Sequence, residues 1–217
     1  MILSIAIADE DSVLAEYKDD GELRHSQNLI PNIDSLLKKT NSKLSGIDAF
    51  AVSIGPGSFT GLRVGVAVLK GLNLVTNIPI VTVPTLDVIA HNALNVSGDI
   101  CVIVDAKKNN LYTSLYKAQN GDIIRLWDCL LLPADELIKR IKDETFFLGD
   151  GITLYGNSIL ERLKGARLAG EDYWFPDAKT VARLGMRKFK NKEFAEPDTL
   201  VPFYIYSREC SIRGVDR

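Results

Sequence analysis

Apolar residues in this chain recur either at every second position or at helical spacing, and the two spacings alternate along the sequence. Two short alternating runs on either side of an acidic turn predict a hairpin, Leu3–Ala8 with Val13–Tyr17. Apolar positions three and four apart then predict a helix from Ser26, a suitable N-cap residue, to Lys39. Such an alternation of strands and helices is typical of an α/β protein whose sheets are covered by helices.

Later segments continue this pattern and divide the chain into two halves. The polar segment Asn95–Asp99 predicts the boundary, so we expect an N-terminal lobe of residues 1–97 and a C-terminal α/β lobe of residues 98–217. The apolar and aromatic tail, Leu200–Tyr206, is expected to pack back on the body. The remaining predicted strands are Ala49–Ile54, Ile78–Val83, Ile100–Val104, Leu111–Lys117, Ile123–Leu130 and Thr145–Leu148, and the remaining helices are Thr60–Val75, Leu86–Leu94, Pro133–Ile141, Leu154–Leu163 and Ala178–Lys190.

Composition narrows the class of protein. The 217 residues include 26 Lys and Arg against 28 Asp and Glu, a formal net charge of −2, whereas unaided nucleic-acid binding usually requires a basic excess. The three cysteines are widely spaced, which argues against a disulfide framework or a zinc ribbon. The N-terminus lacks the basic start of a signal peptide, and prolines interrupt the longest uncharged stretch, residues 71–86. We therefore expect a soluble cytoplasmic protein with no membrane segment.

The strongest local motif is the glycine-rich segment 55–65, Gly-Pro-Gly-Ser-Phe-Thr-Gly-Leu-Arg-Val-Gly, between a predicted strand and a predicted helix. Glycines at such a junction allow a tight turn, and the free N–H groups of a helix start attract anions. The spacing matches neither a Walker A loop nor the dinucleotide-binding fingerprint. Two interpretations stay open, an anion site and a tight turn with a packing role. They concern Gly55, Gly57, Ser58 and Thr60 and, more weakly, Gly149, Asp150 and Gly151.

Other segments accompany this motif along nearly the whole chain. They are Arg24-His25-Ser26 ahead of it and Asp105–Tyr112, Gly149–Gly151 and Pro202–Tyr204 after it. Together with the motif they resemble the TsaB (YeaZ) family, bacterial proteins of tRNA threonylcarbamoyladenosine biosynthesis. Members of that family begin with a strand that ends in Asp-Thr-Ser. Met1–Ala8 matches the second strand instead, so we expect the first strand to be shortened or missing here.

The resemblance implies an actin-like fold of two duplicated lobes, as in sugar kinases and chaperone-type ATPases. It also implies a non-catalytic subunit that pairs with TsaD, the catalytic paralogue, and with the ATPase TsaE. That assembly forms threonylcarbamoyladenosine beside the anticodon of tRNAs that read codons beginning with A. The resemblance further implies no intrinsic cofactor, ATP and metal on the partner subunits, contact with tRNA only through the complex, and a homodimer as a second pairing.

A small-molecule kinase or ATPase of the same fold is the alternative function. Against it, Asp105 is followed by Ala-Lys-Lys, where a phosphate loop needs glycine. Metal ligands are also scarce, because the chain has 2 histidines, His25 and His91. The paralogue's His-x-x-x-His pair aligns with Thr85 and Ile89, neither of which is a histidine. We therefore predict no catalytic residue and no metal site in this chain.

The helix Thr60–Val75 is apolar on two sides, and such a helix needs to be covered twice. We expect the face with Val64 and Val68 to cover the lobe's own sheet. The other face carries Gly61 and Gly65, which would allow close approach of a partner helix. Together with the preceding helix, the predicted partner interface comprises His25, Leu29, Ile33, Leu36, Gly61, Leu62, Gly65, Val66 and Leu69.

Overall fold

The computed structural model describes residues 2–19 and 25–203, apart from the side chains of residues 25–27. The first elements along the chain are β1 (Leu3–Ala8), β2 (Val13–Asp19), α1 (His25–Lys39), β3 (Phe50–Ser53), α2 (Phe59–Thr76), β4 (Ile80–Val83) and α3 (Thr85–Ala90). Then follow β5 (Gly98–Asp105), β6 (Asn110–Gln119), β7 (Asp122–Arg125), β8 (Leu130–Pro133), α4 (Ala134–Arg140), β9 (Thr145–Leu148), α5 (Ile152–Arg162), β10 (Arg167–Leu168) and α6 (Ala178–Lys190). The predicted α/β class is confirmed.

In the first lobe, the four strands of the described residues form two separate pairs. β1 and β2 are an antiparallel hairpin, and the Asp9 carboxylate closes its turn by accepting the N–H groups of Asp11 and Ser12 at 3.0 and 2.7 Å. β3 and β4 run parallel, because the crossover helix α2 connects them. Among the described residues, β1 and β3 do not pair with each other.

The second lobe is built on one six-stranded sheet with the order β10-β9-β5-β6-β7, in which β8 also pairs with β6. Its central strand β5 is buried continuously from Ile100 to Val104. The single strand predicted for Ile123–Leu130 is wrong, since it is divided into β7 and β8. The division arises because the N–H groups of Leu126 and Trp127 both donate to the carbonyl of Leu115, which ends regular pairing there.

The C-terminal part of the chain returns to the first lobe, so the predicted lobe of residues 98–217 is too long. α6 packs against β1, β3 and β4, and Val181 is buried beside Val83 and Val88. After α6, the N–H of Ala195 donates to the carbonyl of Ile80 at 2.8 Å. A helix pattern by itself does not specify which sheet the helix will cover, and this explains the error.

The tail packs on the first lobe through two buried residues, Leu200 and Pro202. Leu200 is 9% exposed and lies in a core cluster with Phe50 and Val66, while Val201 is 64% exposed. Lys70 holds the same segment, because its ammonium group donates to the carbonyls of Asp198 and Leu200 at 3.3 and 3.4 Å. The prediction that the tail packs is thus confirmed for its start, and Tyr204–Tyr206 lie outside the described residues.

We expect Leu200→Ala to lower the free energy of unfolding by about 2–4 kcal/mol, because it empties a filled core position. The matched control is Val201→Ala, one residue along, which should change it by less than about 0.5 kcal/mol because that side chain is exposed. Urea denaturation followed by circular dichroism measures both. Equal stability of the two variants would show that the tail does not contribute to the core.

Candidate functional site

The glycine-rich turn is a packed junction between β3 and α2. Gly55 has φ +114°, and a Cβ atom there would lie 2.9 Å from the carbonyl oxygen of Phe203 and 3.0 Å from Leu62. Its N–H donates to the Thr85 hydroxyl at 2.9 Å, and its carbonyl accepts the Thr85 N–H at 2.9 Å. Glycine is required here by the backbone conformation and by the tail that lies over it. The Gly55 N–H is therefore already used and is not available to an anion.

The start of α2 is capped from within the chain. Ser58 is the N-cap, and its hydroxyl accepts the N–H of Gly61 at 3.4 Å. Gly57, Ser58 and Thr60 are exposed. The guanidinium of Arg63 lies 3.6 Å from the centre of the Phe59 ring, a cation–π contact on the protein surface. An anion role for Gly57, Ser58 and Thr60 stays a prediction, while the structure gives Gly55 a packing role.

The structure reverses the predicted roles of the two faces of α2. The face predicted to bind a partner covers the lobe's own sheet instead. Val66 is 4% exposed and packs with Phe50, Ile80 and Leu200, and a Cβ atom on Gly65 would lie 3.8 Å from Val52. Leu62, Gly65, Val66 and Leu69 therefore lie on the side of α2 that faces the lobe's own sheet and the segments packed on it. The opposite side, with Val64, Val68, Gly71, Leu74 and Val75, is the outer one, where Leu74 is 82% and Val75 75% exposed.

α1 supplies part of the same surface. Leu36 is 4% exposed, so this predicted interface residue belongs to the core of the first lobe. Leu29 and Ile33 are half-buried, and Ile30 is 49% exposed. An open groove between α1 and α2 is lined by apolar residues that include Ile30, Ile33, Leu37, Leu44 and Leu72. The side chain of His25 lies outside the described residues. The candidate interface is thus this groove together with the outer face of α2.

The Gly149–Gly151 turn is fixed against β5. Gly149 has φ +110°, and a Cβ atom on it would lie 2.2 Å from the carbonyl oxygen of Ile103. The N–H of Gly151 donates to the same oxygen at 3.1 Å. Asp150 accepts the N–H of Asp105 at 2.9 Å, and burial raises the pKa of its carboxyl group. Both glycines have packing roles, and the anion role of this turn stays a prediction.

A charged cluster joins the two lobes at α3. The Asp87 carboxylate accepts hydrogen bonds from the guanidinium of Arg125 and, at 2.8 Å, from the Tyr116 hydroxyl, both on the sheet of the second lobe. Burial, followed by the charge of Asp87, raises the pKa of Tyr116 well above its usual value. A charged hydrogen bond of this kind is stronger than a neutral one. Asp87 therefore anchors α3 to the second lobe.

A second ionic link connects α6 to β7. Arg187 donates to both oxygens of Asp122 at 2.9 Å, and this hydrogen bond is the main reason that the pKa of Asp122 is lowered. His91, at the end of α3, is buried, and its Nδ1 lies 2.8 Å from the carbonyl oxygen of Asp87. Its Nε2 is 3.5 Å from Asp122 and has no hydrogen-bond partner among the described residues. His91 is a packed interlobe residue.

Comparison with known proteins gives the family. The chain is 31% identical, over 99% of its length and 93% of the relative, to the tRNA threonylcarbamoyladenosine biosynthesis protein TsaB of Bacillus subtilis. The chain belongs to the TsaB family. The protein of the same name in Escherichia coli is 25% identical over 93% of this chain and 89% of its own. A family model described as "TsaD: tRNA N6-adenosine threonylcarbamoyltransferase" matches residues 19–146.

Solved structures agree with the fold of the TsaB family. A Pseudomonas aeruginosa protein described as similar to peptidase YEAZ superposes with a TM-score of 0.81 at 24% identity, each chain being covered to 94%. A structure described as YeaZ from the same organism gives a TM-score of 0.78 at 25% identity, again with 94% of each chain covered. The two-lobed fold expected from the sequence is confirmed at this level.

Two features of this TsaB-family chain were missed in the sequence. The role of Asp87 was detectable in the sequence. It is the one acidic residue in the apolar stretch 71–98, and a lone charge in such a stretch needs a partner. The exposure of Leu74 and Val75 could not be detected in the sequence, because the residues of the two faces of α2 are similar in hydrophobicity. Only the position of the sheet decides which face is covered.

We expect Gly149→Ala to destabilise the protein by at least about 3 kcal/mol, because the added methyl group meets the Ile103 carbonyl and the backbone has a left-handed conformation. The matched control is Gly170→Ala, where a Cβ atom would meet nothing within 4 Å. Thermal unfolding measures both variants. A Gly149→Ala protein as stable as the control would mean that this turn is not held against β5.

Proposed function

We propose that this chain is a non-catalytic subunit of the assembly that forms threonylcarbamoyladenosine in tRNA, and that it acts by binding a TsaD homologue. The names of its relatives support the pathway, since they are tRNA threonylcarbamoyladenosine biosynthesis proteins. In this proposal TsaE is a further partner, tRNA is contacted only within the complex, and ATP and metal are held by the partner subunits. The site of action is the cytoplasm.

The observation that carries the proposal is the exposed part of the outer face of α2, formed by Gly71, Leu74 and Val75. One side of this helix buries Val66 in the lobe, while Leu74 and Val75 on the outer side are 82% and 75% exposed. A contiguous exposed apolar surface is typical of a protein–protein interface. Gly71 adds room for close helix packing, because nothing lies within 4 Å of the place of its Cβ atom. The same face would serve in a homodimer when the partner is absent.

The interlobe cleft argues against the kinase or ATPase alternative. Arg125, Arg187 and Lys188 all line it, and each is already paired with a carboxylate, namely Asp87, Asp122 and Glu193 respectively. A nucleotide triphosphate would need cations that are free to contact its phosphates. The Arg125–Asp87 and Arg187–Asp122 pairs link the two lobes instead, which supports a structural role for the cleft.

Insertion into a membrane is a less favoured explanation for the apolar composition of α2. By length and composition, α2 is the one helix in the described part of the chain that could span a bilayer. Arg63 and Lys70 lie within this helix, however, and a charge at bilayer depth is costly. Lys70 also binds the tail that packs on the lobe. We therefore assign the outer face to a protein partner.

Reconstitution tests the function. Purified TsaD and TsaE homologues, the threonylcarbamoyladenylate synthase, ATP, threonine and bicarbonate should modify tRNA only when this chain is added. The chain alone should neither hydrolyse ATP nor modify tRNA, because it is expected to supply an interface and no reacting group. Full modification without the chain, or turnover by the chain alone, would contradict the proposal.

The interface is tested by Gly71→Glu, which places a charge in the middle of the outer face of α2. We expect the Kd for the TsaD homologue, measured by calorimetry, to rise at least about tenfold, because an unpaired charge would be buried. Gly170→Glu is the control, since it adds the same charge at an open position in the second lobe. Circular dichroism checks that both variants fold. An unchanged Kd for Gly71→Glu would place the interface elsewhere.

A further inference from the structure

His91 is a buried ring at the junction of the two lobes. It directly follows α3, its side chain is 6% exposed, and it lines the interlobe cleft with residues of β6, β7 and α6. Its Nδ1 lies 2.8 Å from the carbonyl oxygen of Asp87. Because a carbonyl oxygen only accepts hydrogen bonds, this contact assigns a hydrogen to Nδ1. In the neutral ring, Nε2 then carries no hydrogen.

The surroundings of Nε2 are unfavourable to the neutral ring. This nitrogen is buried, and no described atom donates a hydrogen bond to it. An oxygen of the Asp122 carboxylate, Oδ1, lies 3.5 Å away and is itself an acceptor. A buried acceptor without a donor costs free energy. One added proton makes Nε2 a donor, so that the two acceptors become an ion pair with a charged hydrogen bond.

The Asp122 carboxylate keeps its charge throughout the range in which histidine binds a proton. Arg187 donates to both of its oxygens at 2.9 Å, and this is the main reason that the pKa of Asp122 lies below its usual value. Histidine changes its charge between about pH 5 and pH 8. Asp122 is therefore an anion on both sides of that change, and a proton on the ring always meets a charged partner.

The other charged and titratable groups around the ring are already paired with one another. Arg125 binds Asp87, Tyr116 donates to the same carboxylate, and Lys188 binds Glu193. From α3, β6, β7, α6 and the segment after α6, the groups that face the cleft are Asp87, Tyr116, Arg125, Arg187, Lys188 and Glu193. β5, which also packs on α3, carries no charge between residues 99 and 105. Within the described part of the chain, Asp122 is thus the group placed to bind a proton-bearing Nε2.

A link from His91 to Asp122 would restrain the two lobes from a second side. Asp122 begins β7 in the second lobe, and Arg187 binds it from α6, which packs on the first lobe. His91 would bind the same carboxylate from the end of α3, a helix that packs against β5, β6 and α6. The carboxylate would then be held by two elements instead of one. The difference between the two states is one proton.

We propose that His91 is a proton-dependent clamp between the lobes: a proton taken up from solvent at Nε2 forms an ion pair with Asp122 and ties the end of α3 to β7, and release of the proton to solvent removes that tie. The clamp adds stability on the acidic side of the histidine range and loses it as the pH rises. The Arg187–Asp122 pair has the opposite sign, because its contribution is lost only when acid protonates the carboxylate. The two links are therefore distinguishable by their pH dependence.

NMR of the full chain tests the protonation directly. The chain has 2 histidines, so a His25→Gln variant assigns the ring nitrogens of His91. We expect the neutral ring to carry its hydrogen on Nδ1. We also expect Asp122→Asn to lower the proton affinity of the His91 ring at least about threefold, because the carboxylate that stabilises the added proton is gone. The matched control is Asp128→Asn, which removes the same charge from the same lobe at a side chain that is 95% exposed and should have little effect.

Melting temperatures give a second readout. His91→Asn keeps a donor for the Asp87 carbonyl and removes the titrating ring. It should lower the melting temperature by about 2–4 °C more at about pH 5.5 than at about pH 8, because the clamp is present only at the lower pH. In the Asp122→Asn background this difference between the two pH values should disappear, since the pair is already broken.

Three results would each overturn the proposal. The first is a neutral ring with its hydrogen on Nε2, and the second is an equal effect of Asp122→Asn and Asp128→Asn on the proton affinity. The third is an equal loss of melting temperature at both pH values when His91 is replaced. If His91→Asn does not fold, the NMR comparison decides by itself, because both of its aspartate variants keep the ring.

Discussion

Packing of α6 across the first lobe is the contact on which the rest of the arrangement depends. The helix comes from the end of the chain, yet it lies against β1, β3 and β4, with Val181 buried beside Val83 and Val88. Among the described strands β1 and β3 do not pair with each other, and α6 contacts both strand pairs and so holds them together on one side. Arg187, near its other end, binds Asp122 on β7 and ties the first lobe to the second. Both lobes thus depend on one late helix.

The glycine motif shows how one sequence feature can satisfy two different physical needs. A phosphate loop requires glycine so that a ligand can approach the backbone. A crowded turn requires glycine so that another segment of the protein can approach the backbone. At Gly55 the approaching group is the tail of the same chain, and Thr85 takes up both the N–H and the carbonyl. Spacing alone could not separate these cases, because the deciding contact comes from a residue about 150 positions away.

Local elements were predictable because their signals are local. The β1–β2 hairpin follows from alternating residues around an acidic turn, and α6 begins after the N-cap Asp177, within the predicted range. Pairings that depend on distant segments were not predictable. The inner face of α2 was assigned wrongly because Val66 and Val68 are equally apolar, and only the position of β3 distinguishes them. For the candidate site, the sequence indicated which helices form it but not which of their faces.

The exposure of Leu74 and Val75 also has a practical consequence for handling the protein. An exposed apolar face can make the behaviour of a free chain depend on its concentration, since two such faces can bury each other. If they do so, dilute and concentrated preparations differ in apparent mass and in melting temperature. Production together with a partner would remove this dependence, because the face would be covered as soon as the chain folds.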